Sequence, residues 1–500
     1  MALWAALCWL PLGAAALVFL LYCAYVKYSH LKYDHIPGPP RKSFLLGHWY
    51  LFRQAASDSN MLMYDVFLEW VKKYGPVVRL NVFHRVILLV SSPEAVKEFL
   101  MSPKYRKDST YDRLFGVYGE RFLGKGLVTD PDYNHWHSQR RIMDPAFSRT
   151  YLIGLMDVFN EKAEDLMDRL TEKANGKTEV KMHNLLSRLT LDVIAKVAFG
   201  LELNALQDDQ TPFPRAISMA MKGVTTIRNP AFKYMPGNWK TVKEIQESVR
   251  LLRQTGMECI ERRKMSMENG EEIPMDILSQ ILKVAALEED CDQESMIDNF
   301  VTFFIAGQET TASQLAFAVI EIARHPAIME RVRAEVDEMI GSKRNIDYED
   351  LGKLKYLSQI LKETLRLYPP APATSRLLEE DTVIEGVKVP ATVSLFINMY
   401  VMARIDKFFP DPLTFDPDRF SPEAPRPNFT YFPFSLGPRS CIGQVFSQME
   451  AKVVLAKLVQ RFDFQLVAGQ SFKILDSGTL RPLDGAICYL KPRREATRSQ

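Results

Sequence analysis

The chain is short of several features that would define it at a glance. It has no excess charge of either sign: 63 Lys and Arg against 61 Asp and Glu leave +2. That is too balanced for a protein whose main partner is a polyanion, so no nucleic acid is expected. Cysteine is scarce. Cys8, Cys23, Cys259, Cys291, Cys441 and Cys488 are scattered over 500 residues, which argues against a disulfide framework and for reduced thiols. With 47% hydrophobic and 25% charged residues, and only 24 Gly and 29 Pro, disorder, collagen and coiled coil are excluded. Repeats and low-complexity stretches are absent, and no linker divides the chain as its length alone would suggest. H-E-x-x-H, paired C-x-x-C, G-x-S-x-G and G-x-G-x-x-G do not occur. Gly119 to Gly126 follows a P-loop as far as Lys125. Gly126 then stands where a hydroxyl must meet magnesium, which excludes nucleotide hydrolysis. His135 and His137 are wrongly spaced to share one helical face as metal ligands.

What is present begins at the N-terminus. Residues 2–26 are uncharged and almost wholly apolar. As a helix they span about 37 Å, enough for a hydrocarbon core of about 30 Å. A cleaved signal peptide would carry a cationic start and a shorter apolar run. A core helix would keep a polar face. The segment therefore reads as a transmembrane anchor. Lys27, Lys32, Arg41 and Lys42 follow it and put the remainder in the cytosol, where the triplet Asn428–Thr430 stays unglycosylated. Residues 27–45, with His35 to Pro40 at their centre, read as a stiff proline-rich elbow, and 46–495 as one catalytic domain.

The pattern predicts a mainly α fold with small sheets. Helices are expected at Leu155–Asn175, Leu185–Phe199, Thr241–Met267, Met296–Arg324 and Tyr356–Tyr368. A hairpin is expected at Val77–Val90, with further strands at Thr382–Val389, Ser394–Asn398 and Ile487–Leu490.

The segment richest in chemistry is Phe434-Ser-Leu-Gly437-Pro-Arg439-Ser-Cys441-Ile-Gly443, just before a helical run from Gln444 to Arg461. Its glycines permit tight turns that aim backbone N–H groups at one sulfur. A helix N-terminus favours thiolate over thiol. A thiolate with an arginine two residues before it suits an iron porphyrin, sulfur to iron and guanidinium to propionate. A lone cysteine is more often an inert buried one; the ten-residue pattern reverses that here.

F-x-x-G-x-R-x-C-x-G resembles the haem-binding signature of the cytochromes P450. Glu363-Thr-Leu-Arg366 is similar to that family's E-x-x-R, Pro417–Phe420 to its P-E-R-F, Ala306–Thr311 to its A-G-x-[DE]-T-[TS], and Trp136–Arg140 to its W-x-x-x-R. The resemblance covers nearly everything after the elbow. It implies the cytochrome P450 fold and a haem b whose iron takes the thiolate of Cys441, within a loop framed by Phe434 and Gly443. It further implies dioxygen, electrons from NADPH through cytochrome P450 reductase, and a single-pass protein of the endoplasmic reticulum membrane. Trp136, Arg140, Arg376 and Arg439 would meet the haem propionates. Thr310 would hydrogen-bond where dioxygen is activated, and Glu309 would relay protons.

Independently, Thr310 can bond back to the Ala306 carbonyl and loosen the helix beside Gly307. Spacing of three puts Glu363 and Arg366 on one helical face. On a surface such a pair is worth under about 1 kcal/mol; in the family it is buried with Arg419 and props up the cysteine loop. By analogy Phe115, Val224, Phe304, Ala306 and Thr310 would line the pocket, and Lys125, Arg140, Arg141 and Lys452 would offer the reductase a basic face.

Residues 35–40, 298–307 and 429–437 are most similar to the sterol side-chain hydroxylases within the family. That implies cholesterol as substrate, oxidised mainly at C24 with some at C25. Ala371–Ser375, Pro438 and the C-terminal tail depart from that branch. The alternatives are a paralogue oxidising another lipid or a xenobiotic, a thiolate-haem isomerase, and a non-catalytic membrane protein that binds haem or sterol. Glu309 and Thr310 argue against the isomerase.

Overall fold

A computed structural model describes residues 2–58, 61–287, 292–425 and 427–493, with the side chains of 2–10 and 56–57 excluded. Cys291 and the expected domain end at residue 495 lie outside the described residues. The chain forms two compact units. The first takes residues up to 108, 373–412 and 427–432, and the second takes 109–372, 413–426 and 433 onward.

In the first unit the β-branched run at 77–90 folds as expected into an antiparallel hairpin, Val77–Val82 with Arg85–Val90, in register Val77 to Val90. Phe83 takes a left-handed φ of 53° in its turn. Val393–Asn398 adds in parallel to the second strand, and Ala373–Leu378 pairs antiparallel beyond it, giving four strands. The helix Met63–Tyr74 lays Met63, Phe67 and Val71, spaced by four, on the Val78, Leu80 and Leu89 face. The expected strand at 382–389 is itself a hairpin, folded at Glu385 and Gly386, both with positive φ.

One helix, Pro11–Tyr33 within the longer Ala2–Tyr33, is long and apolar enough to cross a membrane. Leu12, Leu17, Val18, Phe19, Leu20 and Leu21 are exposed along it. The helix does not stop at Val26. It continues through Tyr33, because that stretch has a surface to dock on: Val26 and Tyr33 are buried, Ser29 Oγ donates to the His84 carbonyl at 2.9 Å, and Tyr33 OH donates to the Ala391 carbonyl at 2.8 Å. The elbow therefore begins after Tyr33. It is no free loop, since Arg79 N–H donates to the Pro37 carbonyl at 2.7 Å and a Cβ on Gly38 would meet Arg79 O at 2.5 Å.

The second unit is built around the helix Gln293–Arg324, 32 residues or about 48 Å long. It starts three residues before the expected Met296, because Asp292 caps it by accepting the Ser295 N–H at 2.6 Å. Met182–Phe199, Trp239–Glu268, Lys355–Leu367 and Gln444–Arg461 pack against it. Gly256 and Gly307 let two of these approach: a Cβ on Gly256 would meet Phe300 at 2.6 Å, and one on Gly307 would meet Ile194 at 2.8 Å. Phe462–Leu466, Ile487–Pro492 and Glu179–Lys181 form a small sheet, and Ile474–Asp476 pairs with Leu480–Pro482.

Removing residues 2–20 should leave the melting temperature unchanged, because the described side chains there are exposed. Removing residues 2–36 should lower it, since Val26, Tyr33 and Ile36 leave the core and each apolar side chain is worth about 1.5–3 kcal/mol. Circular dichroism melts check both; equal melting of the two truncations would refute the docking.

Candidate active site

The cysteine loop lies in the second unit. Ser435 (φ 58°) and Gly437 (φ 68°) turn the chain back on itself, so that Cys441 N–H donates to the Phe434 carbonyl at 2.8 Å and Ser440 N–H to that of Gly437 at 3.0 Å. Gly443 caps the helix Gln444–Arg461. The helix starts at Gln444 as expected, so Cys441 lies just before its N-terminus. A Cβ on Gly443 would make only an ordinary contact with the Cys441 sulfur, at 3.9 Å. Cys441 is surrounded by protein and still has accessible surface, the condition of a group lining an internal cavity. Desolvation there pushes the free thiol pKa up, while the Gly443 N–H and the Arg140 charge pull it back. The expected preference for thiolate is thus outweighed by enclosure.

The helix Tyr133–Met143 brings Trp136 and Arg140 to this loop. Asp132 starts it by accepting the Asn134 and His135 N–H groups. Trp136 is buried, and the Arg439 guanidinium lies over its ring at 4.1 Å. Arg439 Nη1 donates to the Asp130 carbonyl at 2.7 Å. Arg140 donates from Nη1 to the Ser440 carbonyl at 2.7 Å and from Nε to Asp144 at 2.6 Å. Arg376 belongs to the first unit, where it is buried and donates to the Thr374 hydroxyl and the Ser375 carbonyl.

Glu363 and Arg366 form the expected buried fork, at 2.6 and 2.7 Å. Glu363 also accepts the Asp416 N–H at 2.9 Å and stands 3.5 Å from Arg419, while Arg366 donates to the Thr414 carbonyl at 3.2 Å. The pair thereby fixes residues 414–419. Burial raises the Glu363 pKa, and Arg366 opposes it most strongly.

On the central helix Thr310 Oγ1 donates to the Ala306 carbonyl at 2.8 Å, as its position predicts. Thr190 Oγ1 takes the Gln308 carbonyl, also at 2.8 Å. Ala306 is exposed between buried Ile305 and half-buried Gly307, with Glu309 and Thr310 also half-buried, so the helix has an accessible patch there. Gly307 turns its bare Cα toward Ile194: it admits the neighbouring helix, and the patch is opened by Ala306. Desolvation raises the Glu309 pKa, against the Arg481 charge and the Thr479 hydroxyl. Sequence reasoning missed Thr479 and Arg481.

Several expected positions need correction. Phe304 is fully buried, stacked on Phe300 with centroids 5.5 Å apart, and Val224 is also core, so neither opens onto a cavity. Phe115 is exposed and lies against the Arg121 guanidinium. Lys452 is half-buried and its Nζ donates to the Leu351 carbonyl at 3.0 Å; Lys125 and Arg141 are exposed.

Among the described residues no group of three or more His, Cys, Asp or Glu could hold a metal ion. A metal at Cys441 needs further ligands from outside the chain, and a porphyrin supplies four nitrogens. One open sulfur on a backbone-fixed turn, with cationic side chains beside it, fits that group.

The comparisons agree. The sequence profile of the Cytochrome P450 family matches residues 37–488, and the chain belongs to that family. It is 30% identical to human Cytochrome P450 4V2 over 492 residues, 92% of this chain and 90% of that protein. Against Drosophila melanogaster Cytochrome P450 4d2 the figures are 27% over 487 residues, 92% of this chain and 94% of that protein. Against Arabidopsis thaliana Protein LUTEIN DEFICIENT 5, chloroplastic, they are 28% over 445 residues, 85% and 72%. The family is one of monooxygenases that use thiolate-ligated haem iron, dioxygen and electrons from a reductase.

Arg366→Ala should cost about 3–5 kcal/mol by stranding the buried Glu363 carboxylate. The double variant Glu363→Leu with Arg366→Met should cost less than either single change. Denaturant unfolding of the three proteins checks the order.

Proposed function

We propose that Cys441 supplies the thiolate to the haem iron and that the protein hydroxylates an aliphatic C–H bond of a membrane lipid. One observation carries the reading: an enclosed yet accessible sulfur, on a turn closed by the Cys441 N–H donating to the Phe434 carbonyl, with Arg140 beside it. Haem, when bound, supplies the oxygen-activating iron. The chain's own residues do the rest. Trp136 and Arg439, stacked, form with Arg140 the polar wall for the propionates. Thr310 offers a hydroxyl at the accessible turn of the central helix. Glu309, whose pKa burial raises, stands one residue away as the group that would relay a proton. Electrons come from NADPH through cytochrome P450 reductase. The apolar N-terminal helix supports a place in the endoplasmic reticulum membrane, with the catalytic domain cytosolic and the substrate drawn from the bilayer.

The broad reading, an aliphatic lipid or related apolar compound, is preferred, since the relatives named above give a sterol no support. The narrower one, cholesterol hydroxylated mainly at C24, rests on the stretches 35–40, 298–307 and 429–437 and is weakened by the departures at 371–375. Full-length protein, reductase and NADPH, incubated with cholesterol and with long-chain fatty acids in parallel, decide between them by mass spectrometry of the products. A hydroxylated fatty acid supports the broad reading, and a side-chain hydroxysterol the narrow one. NADPH consumed at background rate with both, and no product, would leave a non-catalytic binding protein. Thr310→Ala should lower product formed per NADPH by about 10-fold or more while NADPH oxidation continues as peroxide release.

A further inference from the structure

Asp298 lies on the central helix with its side chain fully buried, and its carboxylate is filled to capacity. Oδ1 accepts Arg121 Nε at 3.0 Å and Arg253 Nη1 at 2.7 Å. Oδ2 accepts Arg121 Nη2 at 2.5 Å and the Lys125 N–H at 2.7 Å. These donors take up all the acceptor positions that a carboxylate has. Glu294, one turn earlier, meets the same two arginines. The carboxylate thus joins the central helix to the helix Trp239–Glu268, which carries Arg253, and to residues 121–130. That last segment is closed on itself: the Thr129 hydroxyl donates to the Gly124 carbonyl at 2.6 Å, and the Asp130 N–H to the Gly126 carbonyl at 3.0 Å. It also follows the central helix. Leu127 N–H donates to Asn299 Oδ1 at 2.9 Å, and a Cβ on Gly126 would meet Thr302 Oγ1 at 2.5 Å. Asp298, Thr302, Ala306 and Thr310 are spaced by four and share one stripe of the helix. The segment therefore ends one turn, about 6 Å, short of the exposed Ala306. At its other end the Asp130 carbonyl accepts Arg439 Nη1 at 2.7 Å.

We propose that Asp298 is a positioning residue that clamps residues 121–130 in place, both as one wall of the opening at Ala306 and as the seat of Arg439. Its consequence for turnover rests on the monooxygenase reading above. Wall and seat move together, because the Thr129 and Asp130 bonds make the segment one piece. Charge is balanced locally: Glu294 and Asp298 meet Arg121 and Arg253, and Glu120 meets Arg250 at 2.6 Å. Removing one partner therefore leaves the others without a substitute close by. An amide in place of the Asp298 carboxylate turns one acceptor into a donor, which then faces the N–H groups that the lost oxygen held. Loss of the Arg253 guanidinium instead frees the helix Trp239–Glu268 from both acids and leaves the Arg121 fork in place.

Hydrogen exchange read by mass spectrometry on full-length wild type, Asp298→Asn and Arg253→Gln tests the clamp. Protection of the amides within 121–130 should fall about tenfold in both variants, while residues 312–322 of the same central helix keep wild-type protection. Arg253→Lys, which keeps one charged donor, should lie between wild type and Arg253→Gln. In the haem-loaded proteins, phenylimidazole should reach the iron about threefold faster in Asp298→Asn and Arg253→Gln, read from the Soret shift, and product per NADPH should fall about threefold. Unchanged protection of 121–130 in both variants would overturn the proposal. So would an equal loss across 121–130 and 312–322, which marks a role in stability alone, or a loss confined to 121–130 with phenylimidazole binding at the wild-type rate. Should Asp298→Asn not fold, the two Arg253 variants decide by themselves. Should wild type make no product, the monooxygenase reading fails while hydrogen exchange still decides the clamp.

Discussion

A sulfur enclosed by protein yet left open on one side is the constraint around which the second unit is organised. Sulfur in such a place is poorly solvated and resists ionisation, so a bound cation would be the natural source of the missing stabilisation. The chain prepares for it with backbone geometry. The turn at Ser435–Gly437 and the Cys441 N–H spent on the Phe434 carbonyl fix the thiol before any ligand arrives. Around that loop the polar groups are committed: Arg140 to Ser440, Arg439 to Asp130 and Trp136.

Rigidity is supplied at a distance by buried polar contacts between elements remote in sequence. Glu363 and Arg366 fix residues 414–419. Asp298, fully buried on the central helix, gathers Arg121 at 2.5 Å, Arg253 at 2.7 Å and the Lys125 N–H at 2.7 Å. A side chain on Gly124 would collide with that carboxylate, so a glycine is required where the loop passes. These are charge-assisted bonds in a dry interior, costly to break singly, and they hold the central helix so that Ala306 and Thr310 keep one place.

How much of this could be read in advance depends on how local each feature is. The cysteine loop was legible because its turns and its donor fall within ten residues. The Glu363–Arg366 fork and the Thr310 back-bond were legible because helical spacing alone puts the groups together. Helix positions were read to within a few residues where apolar periodicity was strong, as at Met182–Phe199 and Trp239–Glu268. The segment Phe213–Thr226 was not assigned as helix, since two prolines at its start obscure the pattern. Contacts between distant segments left no local trace. Thr479 and Arg481 beside Glu309, Ile194 beside Gly307, and Ser29 and Tyr33 against the first sheet all depend on the assembled fold. Phe304 read as a pocket residue because an aromatic ring serves core and cavity equally well; only packing distinguishes them.

The account turns on Cys441 supplying the thiolate to the haem iron. Reducing the haem-loaded full-length protein, adding carbon monoxide and recording the visible spectrum tests it most directly, with Cys441→Ser measured beside wild type. A serine hydroxyl is not ionised at neutral pH. The account predicts a red-shifted Soret band of thiolate-ligated haem in wild type and its loss in the variant; the same red-shifted band in Cys441→Ser would contradict it.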